Sequence, residues 1–497
     1  MIQVGIHKSN PLRIQINTED YKYLKELNKY FSEKVPNYFF MPQYRSGGWD
    51  GTVSMFNKLS RTIPYGLLFD FLKFHKEYED APELKVAPDV KRMFKGPILK
   101  PIYDLSLYPY DYQAHCIEAA LQHTKGLIRV ATAGGKSLII AYVIKTLAEK
   151  FTYKKNKSII IVPTKDLMNQ FVENLLEYGI DESHIGTAFA HSKQFDKDIV
   201  ISTWQTLSNN HDKLPLYNTL IVDEVHGVRG HELKKIVSKA KSAKYRLGFT
   251  GTLHSGKLDN WNVKAFLGPV LRDYSAGKLA EMGHIAECRV NVLNIEYEDA
   301  KIRFDGDYND VKDILFTNNY RLDVLRHLVQ DLDATVLLLV GKVEKEGVVL
   351  KEYFEAHKAR GNIDKEVVFL SGKTSSDDER EYWRLEASKR NDLIVIATYG
   401  IFQLGINIPP LKYLILAAPF KSKIRVLQSI GRTLRKHAEK VGGAQIFDLV
   451  DMTKYFEDHG LKRLRHYYSE KFDVKEYVLK EGDDIDITEI RDQLSLF

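Results

Sequence analysis

Two stretches of the chain share one pattern: short β-branched runs end in polar loops and alternate with helical segments. The first stretch, from about Tyr108 to Tyr274, predicts a helix at Lys136–Lys150 and strands at Leu127–Ala131, Ser158–Val162, Asp198–Ser202, Thr219–Val222 and Tyr245–Phe249. The second predicts a helix at Arg321–Leu332 and strands at Thr335–Val340, Glu366–Leu370, Leu393–Ala397, Tyr413–Ala417 and Gln445–Leu449. Such alternation is typical of parallel sheets covered by helices, so we predict two tandem α/β lobes.

The length of 497 residues exceeds what one hydrophobic core usually supports. The first hundred residues differ from the lobes, with a strand at Leu12–Ile16, a helix at Glu19–Lys34 and the aromatic, Gly-rich stretch Tyr38–Gly51. A connector could lie within Ser275–Asp310, which places the lobe boundary near Asn291. We therefore expect a small α+β domain at 1–100, lobes at 101–290 and 291–455, and a basic helical segment with an acidic tail at 456–497.

Composition narrows the class of protein without deciding its function. The chain is 44% hydrophobic and 28% charged, and its apolar runs are too short to span a bilayer. We expect a cytoplasmic protein with no membrane partner. The net charge of +6 fits a polyanionic partner, and the two cysteines, Cys116 and Cys288, are expected to be buried thiols, not zinc ligands.

A glycine-rich turn follows the first predicted strand and opens the first predicted helix, as Val130-Ala-Thr-Ala-Gly-Gly-Lys136-Ser137. Backbone N–H groups and the helix N-terminus converge there, which suits a polyphosphate. Lys136 would supply charge to the phosphates and Ser137 a hydroxyl for Mg²⁺, so ATP and Mg²⁺ are the expected cofactors. The strict motif has Gly where Val130 stands. The loop residues we assign to the nucleotide are Ala133, Gly134 and Gly135.

Two carboxylates stand where a second predicted strand ends, in Asp223-Glu224-Val225-His226. The carboxyl ends of parallel strands are where open α/β sheets bind ligands. Asp223 can hold Mg²⁺, and Glu224 can orient or deprotonate an attacking water. We include His226 with Glu224 among the candidate catalytic residues.

The order of these and further motifs resembles the superfamily 2 helicases, whose motor is two RecA-like lobes with ATP in the cleft between them. The resemblance implies that Gln113 reads adenine and that Thr250-Gly251-Thr252 couples hydrolysis to movement. It also implies that loops of the first lobe grip DNA, through Pro163, Thr164, Gln170, Thr203 and Gln205. Thr164 and Thr203 could instead be simple helix caps.

The second lobe carries the remaining motifs of this resemblance. Ser371, Gly372, Lys373 and Thr398 match DNA-contact positions, with a cap or turn as the alternative for Thr398, and Gly405 matches a nucleotide-coupling position. Asn407 stands where Asp is commoner, which puts its hydrogen-bonding role in doubt. In Gln428-Ser-Ile-Gly-Arg432-Thr-Leu-Arg435, the resemblance implies that Gln428 and Arg432 act beside an arginine finger, Arg435.

Within the superfamily, the acidic box resembles the DNA-acting branch that includes RecG, XPB and phage UvsW. The stretch from Tyr44 to Gly51 resembles the N-terminal domain of UvsW-type helicases, and Arg45 and Trp49 are its candidate DNA contacts, although Trp49 could equally pack inward. This likeness implies a bacteriophage-type monomer that unwinds duplexes and migrates forks and four-way junctions in replication, recombination and repair. An RNA helicase or a non-unwinding duplex translocase remains an alternative. The basic stretch at Lys462, Arg463, Arg465 and His466 is either a phosphate track or an ordinary charged helix face.

Overall fold

The computed structural model describes residues 1–153, 156–190, 192–228, 230–253, 256–298, 307–372, 375–404, 408, 410–419, 422–434, 443–483 and 485, without the side chains of 377 and 402–404. These residues form two compact units. The first comprises Met1–Val130 and Gly135–Asp273, and the second comprises Ala131–Gly134 and the chain from Tyr274 onward. Each unit is described by itself.

The first unit begins with a small α+β domain, as predicted. Its sheet has the order β5-β2-β1-β6, and a separate hairpin pairs β3 with β4. The strands are β1 Ile2–Ile6, β2 Arg13–Asn17, β3 Ser32–Lys34, β4 Thr52–Ser54, β5 Thr62–Pro64 and β6 Leu84–Val86. The helices are Tyr21–Tyr30, Pro42–Arg45, Leu68–Glu77 and Pro88–Arg92. Alternate apolar residues of β1 and β2 point into one core, which explains why the two strands pair in this register.

This domain is packed onto the first lobe within the same unit. The Tyr65 hydroxyl donates to the backbone carbonyl of Phe266. Next to it, Gly66 approaches the lobe so closely that a Cβ there would lie 1.7 Å from the Lys264 carbonyl oxygen. Trp261 of the lobe is buried in the core of the small domain, so the two share one apolar interior.

In the described part of the chain, the first lobe is an eight-stranded sheet of order β10-β9-β11-β8-β12-β13-β7-β14. Its strands are β7 Lys125–Val130, β8 Ser158–Val162, β9 Ile185–Phe189, β10 Ser192–Lys193, β11 Ile199–Thr203, β12 Thr219–Val222, β13 Tyr245–Thr250 and β14 Val270–Tyr274. The helices around it are Asp111–Gln122, Lys136–Phe151, Lys165–Glu177, Trp204–Asn209, Gly230–Lys239 and Lys257–Leu267. The five predicted strands are confirmed, and their central members are buried along their whole length, as strands covered on both faces must be.

The second unit contains a seven-stranded sheet, counted over the described residues, of order β17-β18-β16-β19-β20-β15-β21. Its strands are β15 Cys288–Glu296, β16 Val336–Val340, β17 Glu366–Leu370, β18 Leu393–Thr398, β19 Tyr413–Leu416, β20 Ala444–Asp451 and β21 Asp473–Lys480. The helices are Ala276–Glu281, Tyr308–Thr317, Asn319–Asp331, Val349–Ala359, Asp377–Ala387, Tyr399–Leu404, Lys423–Thr433 and Phe456–Ser469. The pairings reported between neighbours are parallel, which confirms the predicted fold class of two parallel-sheet lobes.

Two details differ from the sequence expectation. The boundary expected near Asn291 falls inside β15, whose hydrogen-bonded neighbours β20 and β21 both lie in the second sheet. The segment after residue 455 adds a helix and the strand β21 to that sheet, and Arg463 is buried against Asp448, with 2.8 Å between Nε and Oδ2. Arg463 therefore cannot contact DNA phosphates, because its guanidinium forms a buried ion pair inside the lobe.

Both cysteines are buried free thiols, as predicted. None of the helices in the described ranges combines the length and apolarity needed to cross a bilayer.

Candidate active site and nucleic-acid interface

The motif loops of the first lobe lie along one edge of its sheet. Strands β11, β8, β12, β13 and β7 are parallel neighbours in that order, so their carboxyl ends point the same way. The loops leaving these ends carry the candidate residues. Sequence reasoning therefore placed five separated segments at one location, which is where parallel α/β sheets bind ligands.

The loop after β7 has the backbone of a phosphate cradle. Ala133 and Gly135 both adopt left-handed conformations, with φ of 69° and 71°, before the helix begins at Lys136. A left-handed backbone is costly for alanine and free for glycine, so the strain falls on one residue of a predicted functional loop. A helix N-terminus is a general binding site for anions, so a phosphate group suits this turn.

Gln113 lies against this loop. Its side-chain amide is buried, its Oε1 accepts from the backbone N–H of Tyr110 at 2.9 Å, and its Nε2 packs beside Gly135. A Cβ on Gly135 would lie 2.4 Å from Gln113 Nε2, so a larger residue there would displace the Gln113 amide. The candidate adenine-reading residue and the phosphate loop are thus in direct contact.

A chain of polar contacts runs from the phosphate loop to the motif after β13. Lys136 Nζ lies 3.0 Å from Glu224 Oε1, and both side chains are largely buried. Glu224 Oε2 is 3.3 Å from His226 Nδ1 and accepts from Gly251 N at 3.4 Å. His226 Nδ1 is also 2.9 Å from Thr250 Oγ1.

The direction of the last contact follows from its neighbour. The Thr250 hydroxyl donates to the Thr252 carbonyl oxygen at 2.7 Å, an atom that can only accept. The Thr250 hydroxyl oxygen therefore accepts a hydrogen bond from the Nδ1–H of His226. This assigns the imidazole proton and makes His226 a bridge between Glu224 and the motif that the sequence analysis linked to movement.

Glu224 has an unusual backbone. Its φ of 46° and ψ of 54° put a bulky L-residue in the left-handed region, which costs on the order of 1–2 kcal/mol. The strain turns its carboxylate out of β12 toward Lys136, whereas Asp223 remains at the strand end. Sequence pattern gave no sign of this conformation.

The pKa values of the two adjacent carboxyl groups are shifted in opposite directions. Burial, followed by the Glu224 carboxylate, raises the pKa of Asp223 to about 7 against an opposing effect of Lys136. Burial also raises the pKa of Glu224, but Lys136 and His226 more than offset it, so its pKa lies below the ordinary value. Carboxyl pairs separated in this way are typical of sites that assign them different roles.

The residues proposed for Mg²⁺ fit a hard cation. Asp223 Oδ1 is buried and has no hydrogen-bond partner among the described atoms, which leaves one carboxylate oxygen to be satisfied by a ligand. The Ser137 hydroxyl is 2.9 Å from the Tyr178 hydroxyl, a partner that sequence reasoning missed. The oxygen donors of Asp223 and Ser137 are thus of the type that Mg²⁺ prefers.

The predicted nucleic-acid residues of the first lobe have mixed surroundings. Thr164 and Thr203 cap helices, since their side chains accept from Leu167 N at 3.3 Å and Thr206 N at 3.5 Å. Capping occupies a lone pair of each hydroxyl oxygen. Both loops still lie at the carboxyl edge of the sheet. Pro163 is half-buried beside Gly227, and Gln170 and Gln205 are exposed.

In the second unit, Thr398 ends β18, and Ser371 and Gly372 follow β17, its immediate neighbour in the sheet. Ser371 and Thr398 are buried, and Gly372 is exposed. Gln428 and Arg432 are half-buried one turn apart on Lys423–Thr433, so they share a helix face. The predicted residues Lys373, Gly405 and Arg435 lie outside the described residues, as does Asn407.

The N-terminal candidates differ in exposure. Arg45 is exposed, and its Nε donates to the Phe39 carbonyl oxygen at 3.3 Å. Trp49 is half-buried and its Nε1 donates to the Thr52 carbonyl oxygen at 2.8 Å. The indole N–H thus closes a turn, while the ring is only partly buried.

Comparison with known families agrees with this geometry. Residues 106–255 match the sequence profile of the family described as type III restriction enzyme, res subunit. Residues 4–81 match the profile described as DNA helicase UvsW, N-terminal. The two matches cover, respectively, most of the first lobe and most of the small domain that precedes it.

Individual relatives extend the similarity over the whole chain. The ATP-dependent DNA helicase UvsW of Enterobacteria phage T4 is 27% identical over 96% of this chain and 99% of its own length. The DNA 3'-5' translocase XPB2 of Sulfurisphaera tokodaii is 26% identical over 78% of this chain and 91% of its own.

Among solved structures, Saccharomyces cerevisiae Dbp5 bound to RNA and ADP BeF3 superposes with a TM-score of 0.52 at 14% identity, covering 78% of this chain and 94% of that one. That similarity concerns the fold alone. In its ordered motifs and its sequence the chain is similar to the superfamily 2 helicases, with UvsW similar over nearly its whole length and XPB2 over most of it.

Proposed function

We propose that the chain is an ATP-dependent DNA helicase that unwinds duplexes and migrates forked or four-way DNA during replication, recombination and repair. The observation that carries this proposal is the contact chain from Lys136 through Glu224 and His226 to Thr250. It links a phosphate loop to a motif of the same sheet edge that the resemblance ties to movement. Similarity to UvsW over nearly the whole chain supplies the choice of DNA.

Under this proposal, each candidate active-site residue of the first lobe has a role in ATP hydrolysis. The phosphate loop and the Lys136 ammonium bind the β and γ phosphates, and Gln113 orients the adenine. Asp223 and Ser137 would hold Mg²⁺, which would neutralise phosphate charge. Glu224, kept ionised by Lys136 and His226, orients the attacking water and takes its proton.

The second lobe is proposed to complete the reaction. Arg432 and Arg435 would stabilise the charge that develops on the transferred phosphate, with Gln428 and Gly405 beside them. An arginine finger is typically worth about 10³ to 10⁵ in turnover, so hydrolysis would depend on the lobes coming together.

DNA would run along the loops at the carboxyl edges of both sheets. The proposed contacts are Pro163, Thr164, Gln170, Thr203, Gln205, Ser371, Gly372, Lys373 and Thr398. We propose a division into the small domain at 1–100, a first lobe ending near Asp273 and a second lobe that includes β15 and β21, because those strands share one sheet. We further propose that the protein acts as a monomer in the cytoplasm, within a host cell if a phage encodes it.

The first alternative is an RNA helicase. Fold similarity to Dbp5, whose structure holds RNA, does not separate the two, because the two-lobed motor serves both classes. The sequence similarity to two DNA-acting proteins and the match to the UvsW N-terminal profile favour DNA. The second alternative is a duplex translocase without unwinding, a reading that the XPB2 similarity keeps open.

The test is steady-state ATP hydrolysis with no nucleic acid, single-stranded DNA, duplex, forked duplex, four-way junction and matched RNA. Lys136→Ala serves as the blank, and Lys213→Ala, at an exposed lysine of the same lobe, is the matched control. We expect the junction and the fork to stimulate most and to be unwound. Greater stimulation by RNA would replace the proposal with the first alternative, and stimulation without strand separation would replace it with the second.

A further inference from the structure

The loop between β3 and β4 exposes three consecutive apolar side chains. Phe39, Phe40 and Met41 are 50%, 63% and 37% exposed, and we call them the aromatic tip. Single exposed apolar residues are ordinary on a protein surface, whereas a contiguous cluster marks an interaction site. Two of the three are phenylalanines, whose burial inside a protein is normally strongly favoured.

The aromatic tip stands on a built support. The chain on both sides is tied by the β3–β4 pairing and by Val35 N donating to the Gly51 carbonyl oxygen at 2.9 Å. Tyr38 packs on Gly51 so closely that a Cβ there would lie 2.4 Å from Tyr38 Cδ2. Trp49 closes the same turn through its bond to Thr52. A loop braced in this way presents its tip in a defined conformation.

The two exposed rings lie next to each other, and Arg45 contacts both residues. The Phe39 and Phe40 ring centroids are 4.4 Å apart with the planes inclined at 49°. Arg45 Nε donates to the Phe39 carbonyl oxygen, and its guanidinium lies 5.8 Å from the Phe40 ring centroid. Arg45 therefore fixes the backbone of the tip and places a positive charge beside its rings.

The charge of the loop indicates what the tip binds. Between Glu33 and Asp50 the sequence contains Lys34 and Arg45 and no acidic residue. Aromatic faces next to cations suit a nucleic-acid strand, because the base stacks on the ring and the neighbouring phosphate meets the cation. An apolar protein surface would have no use for the two cations.

We propose that the aromatic tip stacks on an unpaired base where a DNA duplex forks, with Arg45 on an adjacent phosphate. The inference rests on the proposed helicase function and assigns its strand-separating contact. It transfers the stacking role from Trp49, which braces the loop, to Phe39 and Phe40, which the sequence analysis had not singled out. A stack on the first unpaired base would hinder that base from pairing again as the motor advances.

The test uses forked DNA with 2-aminopurine at the first unpaired position, because the fluorescence of this base is quenched when it stacks. The variant is Phe39→Ala/Phe40→Ala in the full chain. Tyr21→Ala, at an exposed aromatic residue of the same domain but outside the tip, is the matched control. Phe39→Tyr/Phe40→Tyr keeps both rings and is the rescue variant.

We expect the wild type, the control and the rescue variant to quench 2-aminopurine and unwind the fork. The alanine variant should lose the quenching and bind the fork about 5- to 150-fold more weakly, the range expected for loss of one or two weakly stacked bases or one strongly stacked base. Its ATP hydrolysis without DNA and its melting temperature should equal those of the wild type, which shows that it folds.

Several outcomes would overturn the inference. It fails if the alanine variant quenches and unwinds like the wild type, or if it changes only the sedimentation of the protein, which would make the tip a protein-docking surface. It also fails if the rescue variant behaves like the alanine variant. Failure of the helicase proposal is distinct, because the wild type itself would then show either no DNA-stimulated hydrolysis or no strand separation.

Discussion

Lys136 Nζ and Glu224 Oε1 lie 3.0 Å apart, so the phosphate loop after β7 and the acidic box after β12 share an ion pair. A γ-phosphate that accepts the Lys136 ammonium competes with Glu224 for it. Glu224 then keeps its contacts with His226 and Gly251 N and is free to orient water. Nucleotide binding and activation of the carboxylate are thus expected to be one event.

Glu224→Gln should separate binding from hydrolysis. The amide keeps the shape of the side chain but cannot take a proton, so turnover should fall about 10²- to 10⁴-fold. Nucleotide affinity, measured with a fluorescent ADP analogue, should stay within about threefold of wild type. The Lys136→Ala variant should lose both. Residual turnover above one tenth of wild type in Glu224→Gln would remove Glu224 from the reaction.

His226→Ala should uncouple hydrolysis from DNA. The imidazole joins Glu224 to Thr250, so its loss cuts the contact between the acidic box and the following motif, while Gly251 N still donates to Glu224. We expect DNA stimulation of ATP hydrolysis to fall about tenfold, the value of losing one bridging hydrogen bond of roughly 1–1.5 kcal/mol. Basal hydrolysis should fall by a smaller factor than the stimulated rate, because Gly251 N still donates to Glu224. An unchanged ratio of stimulated to basal rate would contradict the coupling role.

Gly66→Ala should weaken the junction of the small domain and the first lobe. The new Cβ would meet the Lys264 carbonyl oxygen at 1.7 Å, and backbone cannot move aside cheaply. We expect a loss of about 3 kcal/mol or more, seen as earlier calorimetric unfolding and faster cleavage near residue 100 in limited proteolysis. Gly5→Ala is the control, because its Cβ would meet nothing within 4 Å. Equal stability of both variants would refute the contact.

Arg463→Met should destabilise the second lobe without changing the salt dependence of DNA binding. Arg463 and Asp448 are both 1% exposed, and removal of one partner leaves a buried charge at a cost of about 3–5 kcal/mol. The expected change is a lower denaturation midpoint. Adding Asp448→Asn should recover part of it. A shallower dependence of log Kd on log salt would instead mean that Arg463 contacts phosphate.

Lys125 should make the stability of the first unit depend on pH. Burial, followed by the nearby Arg246 guanidinium, lowers the pKa of Lys125 to about 8, although its Nζ donates to the Met93 carbonyl oxygen at 2.6 Å. Between pH 8 and the ordinary lysine pKa, the unfolded chain binds more protons than the folded one, so raising the pH stabilises the fold.

The measurement compares the free energy of unfolding of the wild type with that of Lys125→Met at pH 7.5, 8.5 and 9.5. The wild type should gain on the variant as pH rises, by at most about 1.4 kcal/mol per pH unit. Lys73→Met, at an exposed lysine, should show no such trend. A constant difference for Lys125→Met would contradict the lowered pKa.

The sequence predicted the central strands of both lobes because buried parallel strands are continuous apolar runs that need no tertiary information. It did not predict β9, β14 or β21, which lie at or next to the sheet edges, and β14 and β21 contain one buried residue each. The strand Asp473–Lys480 mixes charged and apolar residues without a regular period, and its pairing with β15 depends on a partner far away in sequence.

The site was predictable in its residue types and less so in its geometry. Pattern alone placed Asp223 and Glu224 at the end of an apolar strand and Lys136 after a glycine-containing turn that opens a helix. The left-handed backbone of Glu224, the contact of Tyr178 with Ser137 and the burial of Arg463 were not, because each depends on which segments the folded chain brings together. The phenylalanines of the aromatic tip lie in a stretch that the sequence marked as aromatic, but their exposure was not predicted, since exposure is a property of the fold.

The strand β15 lies between β20 and β21 in the sheet. It comes before both of these partners in the sequence, so it is synthesised first. Asn291 bonds Gln445 across 154 positions, and Arg289 bonds Asp473 across 184. During translation the backbone hydrogen-bonding groups on both sides of this strand therefore have no strand partner at first. Pairing on both sides is complete only after residue 480 has been synthesised. A message truncated before β21 would yield a nascent lobe with a permanently open apolar edge, a substrate for chaperones or a nucleus for aggregation.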